Sequence, residues 1–413
     1  MSTQVTSGLT QHTMDIVKST VPILQEQGDV ITSRFYQRMF ENHPELKNIF
    51  NQTNQRKGDQ SKALAGTVLA AAANIDQLEA ILPKVKQVAQ KHRSLNIKPE
   101  QYPIVGKYLL LAMQEVLGDA ASDDVIDAWA KAYDEIANVF IETEKEMYEE
   151  TKNKVGGWLD FRPFKVVEKV VESDVITSFY LQPADENPFP GYHPGQYVTI
   201  KAEIEGEPYN HLRQYSLSLA PNEGAYRISV KREDAIGDLP QGVVSNYLHN
   251  QVEKGDTIPI SAPSGDFVLD QDDTRPLVLM SGGVGLTPLM SMLETTIKEH
   301  PEREIYYLHA AQNGNVHAMK DRIRTLAEEN KQLHAYTVYD SPTAEDEGSY
   351  DKKGYIDHEW LSSTVPTNHA AFYFCGPKGF MRAMYQVLKK HHVSDGDIHF
   401  EIFGPADDIT ASA

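Results

Sequence analysis

Leu277-Val-Leu-Met-Ser-Gly-Gly-Val-Gly-Leu-Thr-Pro288 is the stretch that decides how the last third of the chain folds. An apolar run of strand length leads into a glycine-rich turn, because glycine adopts backbone conformations that other residues avoid. Further along, strand-like and helix-like runs alternate, which is typical of a parallel sheet covered by helices. The predicted strands are Pro276–Met280, Glu304–His309, His334–Tyr339, Ala371–Phe374 and His399–Phe403, and the predicted helices are Leu289–His300, Lys320–Glu329 and Gly379–His391.

Upstream of this stretch, apolar and polar residues alternate with a period of two. Strand-like runs are separated there by clusters of Pro, Gly and Asn. Many short strands with such turns between them predict an antiparallel barrel or sandwich. The runs are Phe164–Val171, Val175–Leu181, Tyr197–Ile204, Tyr226–Lys231 and Thr257–Ser261.

The first 150 residues have apolar residues at helical spacing instead. Helices are predicted at Ile16–Phe40, Ser61–Ile75, Gln77–Leu95, Tyr102–Leu117 and Val125–Tyr148. The polar segment Thr151–Gly157 ends in two glycines and predicts a domain boundary. The sequence therefore predicts a multidomain chain, made of an all-α domain (1–150), a linker (151–157), an antiparallel β-barrel (158–270), an α/β parallel-sheet domain (271–405) and a disordered tail (406–413).

Composition restricts the class of protein. The formal net charge of −20 disfavours nucleic acids and anionic membranes as partners, because phosphate binding needs clustered Lys and Arg. No apolar run approaches the roughly 20 residues needed to cross a membrane. The amino terminus lacks the basic start and apolar core of a signal peptide. Cys375 is the single cysteine, so an intrachain disulfide is excluded, and a cytoplasmic protein is expected.

His92 is the unusual residue of the helical part. It continues the apolar helical series Val85, Val88, Ala89, His92, Leu95, so it is predicted to point toward the core. Such a histidine is either a hydrogen-bonded core residue or a metal ligand, and both readings stay open on this pattern. Tyr36, Gln60, Tyr102 and Glu144 likewise allow ordinary structural roles.

Together these residues resemble a bacterial globin domain. The resemblance is carried by Phe35-Tyr-Gln-Arg-Met-Phe40, Pro44-Glu-Leu-Lys-Asn-Ile-Phe50, Asn54-Gln-Arg-Lys-Gly-Asp-Gln60 and Gln90-Lys91-His92. It implies that His92 ligates haem iron, that Tyr36 and Gln60 lie on the distal side where they can hydrogen-bond O₂, and that Phe50 and Lys91 contact the haem. Tyr102 and Glu144 would support His92, with Glu142 as the alternative carboxylate. A carboxylate that accepts the remaining imidazole N–H makes the histidine a stronger donor.

Arg213-Gln214-Tyr215-Ser216 is the most specific short motif of the second part. It follows Pro194-Gly-Gln-Tyr197 and precedes Gly242-Val243-Val244-Ser245, and this ordered set resembles the FAD domain of ferredoxin reductases. A guanidinium can pair bidentately with the FAD pyrophosphate, and an aromatic ring can lie against the flavin. The resemblance implies FAD contacts for Tyr197, for residues 213–216 and for the backbone N–H groups of 242–245. The alternative is a strand with incidental polar residues.

The glycine turn itself resembles the nicotinamide-binding turn of the same reductases. Its residues are Gly282, Gly283, Val284, Gly285, Leu286 and Thr287, and glycines before a helix start let a backbone approach a pyrophosphate. Cys375-Gly376-Pro377 and Glu401-Ile402-Phe403-Gly404-Pro405 belong to the same resemblance. It implies that Cys375 positions the nicotinamide and that the aromatic residue covers the flavin. Cys375 is otherwise a small buried hydrophobe.

The whole set, over about residues 1–405, resembles the flavohaemoglobin family. The resemblance implies haem b, FAD and NAD(P)H as cofactors, and nitric oxide dioxygenase activity that turns NO and O₂ into nitrate. The small molecules O₂, NO and NAD(P)H would be its only obligatory partners, and a monomer without integral membrane association is expected. Two alternatives are a haem-based O₂ or NO sensor or carrier, which needs no reductase half, and a flavin-dependent reductase of ferric chelates or O₂, which needs no haem.

Overall fold

The computed structural model describes residues 8–50, 59–237, 240–404 and 409. The chain divides into two compact units. The first contains residues 1–161 and 201–213, and the second contains residues 162–200 and 214–413.

The first unit is mainly helical. Its described residues form the α-helices α1 (Gln11–Ser19), α2 (Val21–Asn42), α3 (Asp59–Ala73), α4 (Leu82–Ser94), α5 (Tyr102–Leu117) and α6 (Asp123–Asn153). The predicted helix Ile16–Phe40 is in fact two helices, and Pro22 lies in the first turn of the second. Proline lacks an N–H and is tolerated there rather than inside a helix. Pro83 likewise separates a short 3-10 turn, Leu78–Ile81, from α4.

Trp129 is at the centre of the helical core and is only 1% exposed. Its indole N–H donates to the Thr20 hydroxyl oxygen, at 3.2 Å between Nε1 and Oγ1. A buried aromatic of this size contributes a large apolar area, and the indole N–H needs a partner when buried. This contact joins the predicted apolar stripe of α6 to the α1–α2 junction. Within the same unit α2 packs against α3 and α5, and α4 packs against α6.

The second part of the chain forms an antiparallel sheet, as predicted. Its strands are β1 (Arg162–Val171), β2 (Ile176–Pro183), β3 (Tyr197–Ala202), β4 (His211–Ser216), β5 (Tyr226–Lys231) and β6 (Thr257–Ile260), and their order is β4-β3-β6-β1-β2-β5. Helix α7 (Val243–Gln251) lies between β5 and β6 in the chain and was not predicted.

The last part forms the predicted parallel sheet. Its strands are β7 (Leu277–Gly282), β8 (Ile305–Ala311), β9 (Leu333–Tyr339), β10 (Lys352–Lys353), β11 (Ala371–Cys375) and β12 (Ile398–Glu401), in the order β10-β9-β8-β7-β11-β12. The helices are α8 (Leu286–Glu299), α9 (Lys320–Glu329), α10 (His358–Thr364) and α11 (Lys378–Lys390). The register pairs Cys375 with both Ser281 and Glu401, so the strand ends meet at one edge.

Ile409 corrects the expectation of a disordered tail at one position. It is 1% exposed and belongs to the apolar cluster around Phe372 and Phe374 of β11. Pro405, the last residue of the predicted α/β domain, and all of the predicted tail except Ile409 lie outside the described residues. No helix within the described ranges is long and apolar enough to span a membrane.

Two histidines are buried under the carboxyl edge of the parallel sheet. The rings of His309 and His317 stack with centroids 4.3 Å apart. His309 Nδ1 lies 2.7 Å from Ser281 Oγ, and His317 Nδ1 lies 2.8 Å from the Tyr339 hydroxyl. Burial lowers the pKa of His317 to about 4 and that of His309 well below its usual value. Both rings are therefore neutral in the folded protein at pH 7.

This burial predicts acid sensitivity of the second unit. An unfolded histidine has a pKa near 6.5, so below that pH the unfolded chain takes up a proton that buried His317 does not. Stability from this residue is fully present above pH 6.5 and is lost as the pH falls toward 4. When the pH falls from 7 to 5, the free energy of unfolding should decrease by about 2 kcal/mol more in the wild type than in His317→Gln, as measured by urea unfolding. Exposed His369 is the control, since His369→Gln should leave the pH dependence unchanged; parallel curves for wild type and His317→Gln would contradict the prediction.

Candidate functional site

His92 lies in the last turn of α4 and meets two side chains from other helices. Its Nδ1 is 2.7 Å from Glu144 Oε1 on α6 and 3.1 Å from the Tyr102 hydroxyl at the start of α5. Tyr102 also donates to Glu144 Oε1 at 2.6 Å. The three residues predicted to act together are thus in direct contact.

The electrostatics of this cluster determine the state of the imidazole. Glu144 is 2% exposed, and a buried carboxylate needs hydrogen-bond donors. Burial, followed by the charge of Glu144, raises the pKa of Tyr102 well above its usual range, so its hydroxyl stays protonated and donates. The carboxylate likewise favours the proton on Nδ1 of His92. The Nε2 lone pair then remains available for a metal, and within the described residues Nε2 makes no hydrogen bond.

The choice between two nearby carboxylates is resolved by position on α6. Glu142 points to the surface, with its side chain 68% exposed and paired with Lys145 at 3.3 Å. Glu144, two residues further on, is the one that reaches His92. Helical periodicity favours Glu144, because it lies four residues after buried Phe140 and so on the same face of α6, whereas Glu142 does not.

Tyr36 belongs to an aromatic cluster on α2. It is 8% exposed, and its ring lies against Phe35, Phe40 and Phe50 with centroid distances of 4.7, 5.8 and 5.6 Å. Gln60, half-buried, is the second residue of α3, and Lys91 is an exposed residue of α4 next to His92. Most of the predicted motif from Asn54 to Gln60 lies outside the described residues.

The glycine turn joins β7 directly to α8. Gly282 ends the strand, Gly283 has a φ of +51°, and α8 begins at Leu286 with Thr287 buried in its first turn. A Cβ on Gly285 would lie 2.1 Å from the carbonyl oxygen of Cys375, so no larger residue fits. The turn, with half-buried Val284, therefore presents backbone N–H groups at a helix start, where anions are favoured.

The neighbouring strand ends complete this edge. Cys375 is fully buried at the end of β11, and burial, together with the charge of Glu401, raises the pKa of its thiol well above its usual value. The thiol stays protonated, which disfavours nucleophilic chemistry. Gly376 and Pro377 lead into α11, and a Cβ on Gly376 would meet the Phe380 ring at 2.6 Å.

The segment after β12 presents an exposed aromatic ring. Ile402 packs against the apolar cluster of the sheet, whereas Phe403 is 43% exposed. Gly404 follows with a φ of +141°, which favours glycine. An exposed Phe at a sheet edge is available to cover a planar ligand.

The predicted flavin motif lies on β4. Arg213, Gln214 and Tyr215 are half-buried, Ser216 is 6% exposed, and Arg213 donates to the carbonyl oxygen of Leu212 at 2.8 Å. Tyr197 begins β3 and is 9% exposed. The motif is therefore part of a strand and still has side chains that reach the surface.

Residues 242–245 form the start of α7, a feature that sequence reasoning missed. Gly242 caps the helix, and Val243, Val244 and Ser245 form its first turn, whose N–H groups have no partner inside the helix. Asn246 fixes this turn by donating to the carbonyl oxygens of Gly242 and Glu233, at 2.9 and 2.8 Å. In the sequence, the only local indication of this helix start was an asparagine four residues after a glycine. The predicted phosphate contacts thus lie at a helix N-terminus, where they are favoured.

Comparison with known proteins gives matches for the helical part, the antiparallel sheet and the parallel sheet. Family models match residues 33–140 as "Globin", residues 163–269 as "Oxidoreductase FAD-binding domain" and residues 279–386 as "Oxidoreductase NAD-binding domain". A flavohemoprotein from Oceanobacillus iheyensis is 59% identical over 401 residues, which cover 97% of this chain and 98% of the relative. One from Bacillus subtilis is 49% identical over 96% of this chain and 98% of its own length.

The chain belongs to the flavohemoprotein family. A solved flavohemoglobin from Malassezia yamatoensis, with bound FAD and heme, has a TM-score of 0.83 at 29% identity and covers 96% of this chain and 100% of its own. The FAD/NAD-binding domain of a nitric oxide dioxygenase from Vibrio cholerae has a TM-score of 0.55 at 39% identity and covers 60% of this chain and 100% of its own. The chain is thus an oxidoreductase with a helical globin domain, an antiparallel FAD domain and a parallel-sheet NAD domain, and its cofactors are haem, FAD and a nicotinamide nucleotide.

The residues present fit these groups. A single histidine with one ring nitrogen fixed by a carboxylate suits haem, and no group of three or more His, Cys, Asp or Glu in the described ranges could hold a bare metal ion. The starts of α7 and α8 suit phosphate groups.

The close approach at Gly285 gives a testable prediction. Gly285→Ala forces the backbone of β11 or the turn to move, and overpacking of this kind should destabilise the second unit by roughly 1–3 kcal/mol. NAD(H) affinity should fall with it. Gly379→Ala is the matched control, because a Cβ at Gly379 meets nothing within 4 Å. Urea unfolding and NADH titration check both effects; equal stabilities for the two variants would disprove the packing constraint.

Proposed function

We propose that this flavohemoprotein is a nitric oxide dioxygenase that oxidises NO with O₂ to nitrate at the expense of NAD(P)H. The contact of His92 with the buried carboxylate of Glu144, in one chain with the FAD and NAD domains, is the observation that carries the proposal. When bound, the nicotinamide supplies a hydride, FAD divides it into single electrons, and haem binds and activates O₂. Each hydride then supplies both electrons needed to convert two pairs of NO and O₂ into two nitrate ions.

His92 and Glu144 are assigned the proximal side. The carboxylate accepts the Nδ1 proton of His92, which increases electron donation from Nε2 to the metal it ligates. This stronger electron donation favours O₂ activation over reversible O₂ storage. Tyr102 donates to the same carboxylate oxygen and holds it in place.

Tyr36 and Gln60 are assigned the distal side. The Tyr36 ring is fixed by three phenylalanines, and its hydroxyl is proposed to donate a hydrogen bond to O₂. A fixed donor in a dry pocket stabilises developing negative charge more than water does. Phe50 is assigned to the haem face, and Lys91 to the haem edge.

The flavin and nicotinamide residues act by binding and orientation. Arg213 is assigned to the FAD pyrophosphate together with the N–H groups of Val243, Val244 and Ser245. The N–H of Gly242, expected from the sequence to join them, donates instead to the carbonyl oxygen of Glu233 at 2.8 Å. Tyr197, Gln214, Tyr215 and Ser216 would contact the flavin. The turn at residues 282–287 would hold the nicotinamide nucleotide. Cys375, Gly376 and Pro377 would place its ring, and Glu401, Ile402, Phe403, Gly404 and Pro405 would border the flavin, with Pro405 outside the described residues.

NO consumption by the full chain, loaded with haem and FAD, tests the proposal. With NADH and O₂ the wild type should consume NO and form an equal amount of nitrate. His92→Ala should lose haem binding and this activity, yet NADH should still reduce FAD. His43→Ala, which changes another partly buried histidine of the helical unit, should behave as wild type. A wild type that reduces ferric chelates but makes no nitrate would instead be a flavin reductase, and one that binds NO without turnover would be a sensor.

Tyr36→Phe tests the distal assignment separately. The substitution keeps the ring and removes only the hydroxyl, so loss of one hydrogen bond should cost about 1–3 kcal/mol, or about 5- to 150-fold in O₂ affinity. Stopped-flow O₂ dissociation should be faster and NO oxidation slower, with FAD reduction unchanged. Tyr108→Phe removes the hydroxyl of another buried tyrosine of the same core and should leave O₂ release unchanged. An unaltered off-rate in Tyr36→Phe would place the hydroxyl elsewhere.

A further inference from the structure

A hairpin of the FAD domain is fastened to the helical part of the first unit. Residues 203–210 connect β3 to β4, and residues 201–213 belong to the same compact unit as residues 1–161. The backbone N–H of Asn210 donates to Asn48 Oδ1 at 2.8 Å. Beside this bond, the Lys47 ammonium lies 5.5 Å from the centroid of the Tyr209 ring. Lys47, Asn48, Tyr209 and Asn210 are called the hairpin clasp.

The clasp is preorganised on both sides. Asn48 donates through Nδ2 to the carbonyl oxygen of Glu45 at 2.8 Å, and this bond turns Oδ1 toward the hairpin. On the other side the donor is a backbone N–H, whose direction is set by the hairpin itself. His211, 6% exposed, closes the hairpin through a contact with Glu207 at 3.2 Å. A hydrogen bond between two prepared partners loses little conformational entropy when it forms.

The clasp is close in the chain to both proposed cofactor sites. Asn48 is two residues before Phe50, whose ring contacts Tyr36 at 5.6 Å. Asn210 is three residues before Arg213 at the start of the flavin motif. One hydrogen bond therefore links the segment assigned to the haem face with the strand assigned to FAD.

We propose that the hairpin clasp is a positioning element that holds the start of the flavin strand on the globin domain and so sets the rate of electron transfer from FAD to haem. The inference rests on the proposed function, since it concerns the step between the two cofactors. Transfer between two groups depends strongly on their separation and orientation, and small displacements from remote contacts are costly. Hydride transfer to FAD uses residues outside the clasp and should not depend on it.

Asn48→Ala, Tyr209→Leu and the double variant test this in the full holoenzyme. After anaerobic mixing with NADH, stopped-flow absorbance separates FAD reduction from haem reduction. FAD reduction should match the wild type, whereas haem reduction should slow by roughly fivefold or more in the double variant, since one such hydrogen bond is worth about 1 kcal/mol. Added sucrose should slow haem reduction more in the variant, because reorientation then limits the step. Glu205→Gln, an exposed change on the same hairpin, is the control.

Hydrogen exchange provides a second readout that is independent of turnover. The amide of Asn210 donates to Asn48, so peptides that cover 204–212 should exchange faster in Asn48→Ala and unchanged in Glu205→Gln. Faster exchange with unaltered haem reduction would overturn the positioning role, as would an equal loss of FAD reduction, which indicates general damage. If NADH does not reduce the haem of the wild type, the proposed function is overturned, and the role of the clasp with it.

Discussion

Burial of the Glu144 carboxylate is the constraint on which the haem side of the molecule depends. Taking an ionised carboxylate out of water costs several kcal/mol unless donors replace the lost hydration. Here the donors are the His92 imidazole and the Tyr102 hydroxyl, and both reach the same oxygen. Three helices must therefore be placed correctly before the charge can be accommodated. The same requirement fixes the proton on Nδ1 of His92 and leaves Nε2 as the nitrogen proposed to ligate the haem iron.

The parallel sheet imposes a comparable constraint on the reductase side. Because its strands run in one direction, their carboxyl ends share an edge, and the register brings Ser281, Cys375 and Glu401 side by side. Because Gly285 has no side chain, the turn can approach the backbone of Cys375 more closely than any other residue would allow. The chemistry at this edge thus comes mostly from backbone groups, and side chains such as Cys375 contribute shape. A protonated, buried thiol is consistent with that role.

The sequence alone predicted the features that have a local period or a fixed motif. The order of helical, antiparallel and parallel parts is confirmed, because each has its own spacing of apolar residues. The break at Pro22 was missed, since the apolar pattern continues across it while the proline removes a backbone donor. Helix α7 was missed because nine residues amid strands give too short a pattern. The Asn48–Asn210 bond depends on tertiary packing between distant segments, which leaves no local signal.

Fusion of the three domains changes the physics of electron transfer. Separate proteins must meet by diffusion, and complementary charge is the usual means of speeding that encounter. This chain carries 59 acidic and 39 basic residues, an excess that would repel an acidic partner. Joining donor and acceptor in one chain replaces the encounter with an effective concentration of about millimolar or more, independent of net charge. Orientation then becomes the remaining limit on rate, and a short-range contact such as the hairpin clasp acts on orientation where long-range charge does not.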